Sequence, residues 1–277
     1  MKKNKTGFFG LHADPSVKVR IIFAILPFLI LMLIYLIASD IRHKSNPRDK
    51  LLPTVSEIGK ALKKSAFTED RRTGEYLMWK DTFSSLKRIV AGVLLSASLG
   101  FLMGLNMGLL PGVRSLSLPF VIFIANIPPL AVLPILFIAF GVGEMGKIML
   151  IFMGTFPLIT RDIYLAVRKI PREMIVKALT LGASPPGVAY RIICPQVLPR
   201  LIDTVRLSMG SAWLFLIASE AIAADSGLGY RIFLVRRYLS MDVIILYVAW
   251  ITLLAFMADF GLRKWVALRY PWYNPGR

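Results

Sequence analysis

The sequence has 277 residues, of which 56% are hydrophobic, with a mean hydropathy of +0.64 and a formal net charge of +18. This combination excludes an ordinary soluble protein and predicts a polytopic membrane protein. The single cysteine, Cys194, cannot form a disulfide within the chain, and neither redox nor zinc chemistry follows from it.

Six apolar stretches are long enough to cross a membrane as helices, since crossing ~30 Å of hydrocarbon takes about twenty residues. They are Ile21–Ala38, Ile89–Leu109, Leu118–Phe140, Lys147–Val167, Leu207–Ala224 and Val243–Leu262. Irregular backbone cannot face lipid, and no alternating strand pattern is seen. We therefore expect an all-α fold with six transmembrane helices. The polar stretch before Ile21 is too long for a simple cleaved signal, so we expect the first span to be retained.

The segment between the first two spans, residues 39–84, is rich in lysine and arginine. Thr54 and Glu57 have the spacing of a helical capping box. The residues around them predict a short amphipathic helix on the membrane surface, with apolar positions at Val55, Ile58, Leu62 and Phe67. We interpret its lysines as contacts with lipid headgroups, and the alternative is that they attract an acidic binding protein or an anionic solute.

Glycines recur at every fourth residue in the second span, at Gly100, Gly104 and Gly108. One face of this helix therefore lacks side chains, so that a second helix can approach its backbone closely. We expect tight helix packing on this face.

The third span is interrupted by four prolines, Pro119, Pro128, Pro129 and Pro134. Prolines free carbonyl groups in the membrane interior, and a neighbouring helix or a hydrated cavity must satisfy them. Discontinuous helices of this kind often line transport paths. Asn126, beside the proline pair, is therefore a candidate residue of such a path, and a hydrogen bond between helices is the alternative.

Residues 141–148, GVGEMGKI, come close to the pattern of a phosphate-binding P-loop. However, Ile148 stands where a serine or threonine must bind magnesium, and apolar spans flank the stretch in place of a strand and a soluble helix. We therefore predict a turn between the third and fourth spans that binds no nucleotide.

The polar insert after the fourth span, residues 171–199, has the pattern of two short helices that meet at a bend. Gly182 is a typical left-handed end for the first helix. Apolar residues precede it at helical spacing: Met174, Ile175, Ala178 and Leu181. Ser184 is expected to cap the second helix, with Pro185 at its first position. Two prolines are expected to end that helix, Pro195 and Pro199. One side of this bend would pack on the bundle, leaving the other for a partner.

The fifth span carries polar residues in an otherwise apolar run: Ser208, Ser211, Trp213, Ser219 and Glu220. A carboxylate inside a membrane costs about 2–3 kcal/mol or more and normally faces protein or water. We expect a structural or gating role for Glu220 ahead of direct contact with a solute. The candidate residues of a translocation path are Asn126, Ser211, Trp213, Ser219 and Glu220.

Residues 171–199 resemble the EAA loop of permease subunits of binding-protein-dependent ABC importers, with Gly182, Ile192 and Pro195 at matching positions. The stretch Ser85–Trp265 as a whole resembles the nitrate, sulfonate, taurine and bicarbonate branch of that family. The segments that carry this resemblance are SLKRIVAGVLLSASLG, IPPLAVLPILFIAFGVGEMGK and ASEAIAADSGLGY.

The loop departs from the family motif at one point, because Val176, Lys177 and Ala178 stand where the motif has Glu-Ala-Ala. A carboxylate that would pair with a basic residue of the ATPase is therefore missing. Glu173, one helical turn earlier, is the candidate replacement.

The resemblance implies a type I ABC importer permease fold, with its core at residues 85–265 and its coupling loop at residues 171–199. It also implies alternating-access transport of a small anion, such as an oxyanion or a sulfonate. ATP and magnesium would bind to partner ATPase subunits, so we expect no cofactor and no catalytic residue in this chain. The implied ATPase-coupling residues are Glu173, Val176, Lys177, Ala178, Gly182, Ala183, Ser184 and Pro185.

The implied partners are cytoplasmic ATPase subunits, an extracytoplasmic solute-binding protein and a second permease subunit. The second permease subunit is most simply a copy of this chain. The lipid bilayer surrounds the assembly, and no nucleic acid is expected. Residues 225–230, a glycine-rich loop after the fifth span, are a candidate docking surface for the binding protein.

Basic residues near the span ends leave the orientation ambiguous, because the segment 39–84 is as basic as the termini. We place the amino terminus inside the cell, since the coupling loop then faces ATP, and this choice rests on the resemblance. It predicts cytoplasmic tails at residues 1–20 and 266–277, an extracytoplasmic segment at 39–84 and a location in the bacterial cytoplasmic (inner) membrane.

Two other functions remain open. An ion-coupled secondary transporter would use Glu220 as a coupling site and would leave the loop without a role. An intramembrane enzyme would need a nucleophile with its base, a metal cluster or paired carboxylates. His12 and His43 lie outside the spans, and Cys194 has no histidine near it in sequence. This second alternative therefore has weak support.

Overall fold

The computed structural model describes residues 16–46, 49–70 and 73–273. Within these ranges the chain forms helices and no strand: α1 (Val17–Ser45), α2 (Val55–Phe67), α3 (Leu77–Leu109), α4 (Pro111–Ala125), α5 (Pro129–Phe140), α6 (Glu144–Arg168), α7 (Arg172–Thr180), α8 (Pro185–Val188), α9 (Cys194–Ile222), α10 (Leu228–Arg236) and α11 (Met241–Arg269). The all-α prediction is confirmed. Most of the predicted tail at 1–20, including His12, and the last four residues of the tail at 266–277 lie outside the described residues.

The predicted third span consists of two helices, α4 and α5, which meet at an angle of 101°. The break falls at residues 126–128, directly before Pro129. Proline has no N–H group and disfavours helical geometry in the residue before it, so the pair Pro128 and Pro129 explains the break. Pro119 and Pro134 are accommodated inside α4 and α5.

Contacts at both ends of the bundle indicate that α4 and α5 together cross it once. α4 begins just after Gly108, which lies against Val167 near the end of α6. α5 leads into Glu144, which pairs with Arg88 at 2.6 Å. Gly108 follows Arg88 by 20 residues in α3, a rise of about 30 Å. α4 and α5 therefore form one broken span. Together with the five other spanning helices, this gives the six transmembrane spans that the sequence predicts. We call the end at Arg88 the network end, because Arg88 also pairs with Glu220 there, and the end at Gly108 the elbow end, because the bend between α7 and α8 lies there.

α3 and α6 pack backbone to side chain, as the glycine spacing predicts. A Cβ atom on Gly100 would lie 3.0 Å from the Cγ2 atom of Ile159. A Cβ atom on Gly104 would lie only 2.6 Å from the carbonyl oxygen of Thr160, and Gly108 is similarly close to α6. Such distances leave no room for a side chain, so the prediction of tight packing is confirmed.

α2 has the predicted capping box. The N–H of Thr54 donates to Oε2 of Glu57 at 2.7 Å, and the Thr54 hydroxyl accepts from the Glu57 N–H at 3.3 Å. The helix packs on the bundle through Ala61 and Ala66. Three of the predicted apolar positions are exposed to the surroundings: Val55, Leu62 and Phe67.

α1 lies beside the bundle with almost its whole length exposed. Ser39 is its one buried residue. The hydroxyl groups of Tyr35 and Ser39 donate to the carbonyl oxygens of Pro53 and Leu52, at 2.6 and 3.1 Å. These contacts attach the carboxyl-terminal part of α1 to the segment before α2.

The second helix after the bend does not end at Pro195 and Pro199, and that prediction was wrong. A π turn over Ala189–Ile193 joins α8 to α9, and both prolines lie within α9. The N–H of Cys194 bonds to the carbonyl of Ala189, five residues back. This wider turn gives the ring of Pro195 the room that a regular α-helical turn would deny it.

Candidate functional site

The elbow consists of α7, the turn that follows it and α8. The N–H of Gly182 donates to the carbonyl of Leu179, and the N–H of Ala183 donates to that of Ala178, both at 3.0 Å. This Schellman motif ends α7 and requires a left-handed residue, which Gly182 supplies at φ +89°. Ser184 then caps α8 through its side chain. The bend and the cap are as predicted.

An apolar cluster attaches the underside of the elbow to the bundle. Val188 and Ile193 are buried in one cluster with Ile159 and Ile163 of α6, and Leu105 of α3 joins it. α8 continues through the π turn into α9, so the elbow is connected to α6 by packing and to α9 by the chain itself.

The opposite face of the elbow is open. Val176 is 57% exposed and Leu181 is 84% exposed. Among the predicted coupling residues, Ala178 and Ala183 face the apolar cluster. The other six are exposed: Glu173, Val176, Lys177, Gly182, Ser184 and Pro185. No ion pair joins Glu173 to a residue that the structure describes, so its carboxylate is available to a partner.

A cavity of about 600 Å³, which we call the central cavity, lies between the α4–α5 break, α6 and α9. Its walls are mainly apolar, with charged residues at Arg161, Asp162 and Arg200. Asp162 accepts two hydrogen bonds from Arg200, at 2.6 and 2.7 Å, and a third from the hydroxyl of Thr204. This bidentate pair ties α6 to α9 beside the cavity.

The structure separates the predicted path residues. Ser211 lines the central cavity. Asn126 sits at the α4–α5 break, where its amide donates to the carbonyl of Ile122 within α4. Trp213, Ser219 and Glu220 are buried on other sides of α9 and do not line this cavity.

The charged residues of the central cavity were missed by the sequence reasoning. Arg161 and Asp162 fall inside the predicted span Lys147–Val167. Ionisable residues within a span are themselves a signal of function, and that signal could have identified both residues. The partnership of Asp162 with Arg200, 38 residues away, has no comparable sequence signal.

Glu220 lies at the network end, in a buried hydrogen-bond network. Its carboxylate accepts from the hydroxyl of Ser85 at 2.8 Å, from Nη1 of Arg88 at 2.7 Å and from the N–H of Gly229 at 2.8 Å. Arg88 also donates to both carboxylate oxygens of Glu144, at 2.6 and 2.8 Å. The network therefore joins α3, α6, α9 and α10.

Asp81 forms a second part of the network. Its carboxylate accepts from Nε of Arg231 at 2.7 Å, from the N–H of Gly227 at 3.0 Å and from the hydroxyl of Tyr247 at 3.2 Å. The glycine-rich loop is thus held against α3. The predicted turn between the third and fourth spans is confirmed at residues 141–143, and the rest of the GVGEMGKI stretch, from Glu144 onward, forms the start of α6.

Comparison with known proteins identifies the family. Residues 96–265 match the family described as binding-protein-dependent transport system inner membrane component. The chain is 34% identical over 197 residues to the taurine transport system permease protein TauC of Escherichia coli (strain K12), covering 71% of this chain and 72% of that protein. It is 29% identical over 187 residues to the bicarbonate transport system permease protein CmpB of a Synechocystis strain, covering 67% of this chain and 66% of that protein.

A solved structure has the same fold. An inward-facing structure of the MetNI methionine ABC transporter aligns with a TM-score of 0.55 and 22% identity, over 66% of this chain and 93% of that one. The chain therefore belongs to the inner membrane components of binding-protein-dependent transport systems, as an ABC importer permease with the type I fold, in the branch of the taurine, sulfonate and bicarbonate permeases.

Proposed function

We propose that this chain forms the translocation path of an ATP-driven importer for a small anion, which an extracytoplasmic binding protein delivers. The elbow is the observation that carries the proposal. It offers an exposed apolar face to a partner, and its underside is packed on the helices that wall the central cavity.

The elbow acts as a lever in this proposal. Partner ATPase subunits bind ATP and magnesium in the cytoplasm and grip the exposed face of α7. Closure of the ATPase subunits moves the elbow. This movement is transmitted to α6 through Ile159 and Ile163, and to α9 through the π turn. The cavity walls then shift together, which opens the path alternately to each side. Glu173 supplies the carboxylate for a basic residue of the ATPase.

Two copies of the chain complete the assembly in this proposal. Each chain has one elbow, so two copies engage two ATPases. The central cavity is not enclosed by this chain alone, and a second copy closes it into a path. A homodimer is the simplest arrangement that meets both needs.

The elbow lies on the cytoplasmic side in this proposal, because ATP is found there. The network end then faces outward, together with the exposed Arg236, Arg237 and Tyr238 at the end of α10. We assign this outward end to the docking of the binding protein. α11 ends on the cytoplasmic side, where Arg200 interacts with Tyr273, and the membrane is the bacterial inner membrane.

An anion is the solute class that the chain favours. The central cavity contains two arginines and one aspartate among its lining residues, and these leave one positive charge in excess. The relatives named for taurine, aliphatic sulfonates and bicarbonate agree with an anionic group on the solute.

Gly182→Val is expected to uncouple transport from ATP hydrolysis. No atom lies within 4 Å of a Cβ built at this position, so the effect comes from the left-handed φ, which costs a β-branched residue about 1–2 kcal/mol. We expect co-purification with the ATPase to weaken and ATP-dependent uptake into proteoliposomes to fall at least tenfold. Gly112→Val is the control, since Gly112 also has open space around it but an ordinary φ. Unchanged uptake by the Gly182 variant would refute the lever.

The same proteoliposomes test the proposed function as a whole. Uptake of [14C]taurine, [14C]ethanesulfonate and [14C]bicarbonate is measured with ATP and the cognate ATPase and binding protein, and then with an ion gradient alone. We expect uptake of at least one of these three solutes, each of which carries an anionic oxygen group, to require ATP. Uptake driven by the gradient without the ATPase would replace the importer with a secondary transporter.

A further inference from the structure

Arg161 occupies an unusual depth in α6. It lies 14 residues after Lys147 and seven before Arg168, about 21 Å and 10 Å along the helix axis respectively. The side chain is exposed on the face of α6 that lines the central cavity. Arg161 therefore lies within the spanning helix α6 while facing a concave space, a placement that by default marks a functional site.

The charge of Arg161 is not compensated within the described part of the chain. The one carboxylate of the cavity, Asp162, is occupied by Arg200 and Thr204. No hydrogen bond or ion pair joins Arg161 itself to a residue that the structure describes. The excess positive charge of the central cavity therefore lies on this guanidinium.

We propose that Arg161 is the solute-contacting residue of the path and that it holds the sulfonate or other oxyanion group of the solute. This inference rests on the proposed function and deepens it. A guanidinium donates parallel hydrogen bonds to two oxygens of one anionic group, which selects oxyanions over halides and neutral solutes. A single unassisted arginine also binds weakly enough for the anion to leave, as transport requires.

The apolar walls around Arg161 provide a second source of solute selectivity. Leu158 and Leu165, one turn away on either side, line the cavity with Phe215 of α9. An alkyl chain attached to the anionic group fits against these side chains. The site therefore favours a small organic anion over a fully hydrated inorganic one.

The first test measures uptake by the whole transporter in proteoliposomes. Uptake is measured with the three labelled solutes, taurine, ethanesulfonate and bicarbonate. For each one that the wild type takes up, Arg161→Gln is expected to lower ATP-dependent uptake at least tenfold, and Arg161→Lys is expected to retain part of it. Arg168→Gln, seven residues along the same helix and outside the central cavity, is the control and keeps wild-type uptake. Co-purification with the ATPase subunits verifies that each variant is folded and assembled. Wild-type uptake by Arg161→Gln would overturn the proposal.

The second test needs no known solute. Leu158→Cys is introduced with Cys194→Ser, and the cysteine is modified by the anionic reagent MTSES, itself an ethanesulfonate, and by the cationic MTSET. Adding Arg161→Gln is expected to lower the ratio of the anionic to the cationic rate roughly tenfold or more, because a unit charge one turn away acts strongly in a partly hydrated site. An unchanged ratio would mean that Arg161 turns away to the membrane surface. The ratio of modification rates tests Arg161 independently of transport. A failure to take up any anion would refute only the proposed function, whereas an unchanged ratio would refute the role of Arg161.

Discussion

Glu220→Ala is expected to destabilise the protein by about 3–5 kcal/mol, the usual cost of removing one partner from a buried ion pair. Glu220 is completely buried and the Arg88 side chain is 3% exposed. The substitution would leave the Arg88 guanidinium with Glu144 as its remaining charged partner, and it would free the N–H of Gly229 and the hydroxyl of Ser85. We expect a sharp loss of monodisperse protein in detergent and a lower thermal midpoint.

Two further variants separate charge from packing at this site. Glu220→Gln keeps the shape of the side chain, so we expect a smaller loss than with alanine. The double variant Arg88→Met with Glu220→Leu removes both buried charges and is expected to recover most of the stability. Glu144 would then lose its partner, but it is 51% exposed and water can solvate it.

The exposed pair of Lys80 and Glu75 is the matched control. Both side chains are more than 40% exposed, and such pairs contribute about 0–1 kcal/mol. Glu75→Ala is therefore expected to leave the thermal midpoint nearly unchanged. If Glu220→Ala proved as stable as the control, the network would not hold the fold, and a role of Glu220 in gating would become the leading interpretation.

Gly104→Val is expected to disrupt the α3–α6 contact. Its Cβ atom would meet the carbonyl oxygen of Thr160 at 2.6 Å and the Cβ atom of Ile163 at 2.9 Å. Backbone atoms cannot move aside by a rotamer change, so the helices must separate, and overpacking of this kind costs about 1–3 kcal/mol or more. The same displacement reaches the elbow, since Ile163 belongs to the cluster beneath it. We expect a lower thermal midpoint together with weaker binding of the ATPase.

Gly261→Ala in α11 is the control for this prediction, because no atom lies within 4 Å of a Cβ atom at Gly261. Alanine also has a higher helix propensity than glycine, so this variant is expected to match or slightly exceed the wild type. Equal thermal midpoints for the Gly104 and Gly261 variants would contradict the close packing of α3 and α6.

Local sequence signals were sufficient to predict several structural elements. Lengths of apolar sequence predict the spans, and the spacing of Gly100, Gly104 and Gly108 predicts a bare helix face because the helical period alone puts these residues together. Gly182 and Ser184 predict the bend of the elbow, since left-handed ends and caps depend on residues within one turn. The same local rules failed at Pro195 and Pro199, which both lie within α9. The π turn before α9 provides the space for the ring of Pro195 that a regular helical turn would not.

The sequence by itself determined the membrane-embedded helices, the bend of the elbow and the face on which α3 packs, because each depends on neighbours within a few residues. Only the tertiary structure decided which groups meet across the chain. Glu220 bonds to Ser85 from 135 residues away, and Asp162 is taken by Arg200, which leaves Arg161 facing the central cavity. A helical period shows which residues share a face, but it contains no information on what lies opposite. The partners of buried charges are therefore set by how the helices pack.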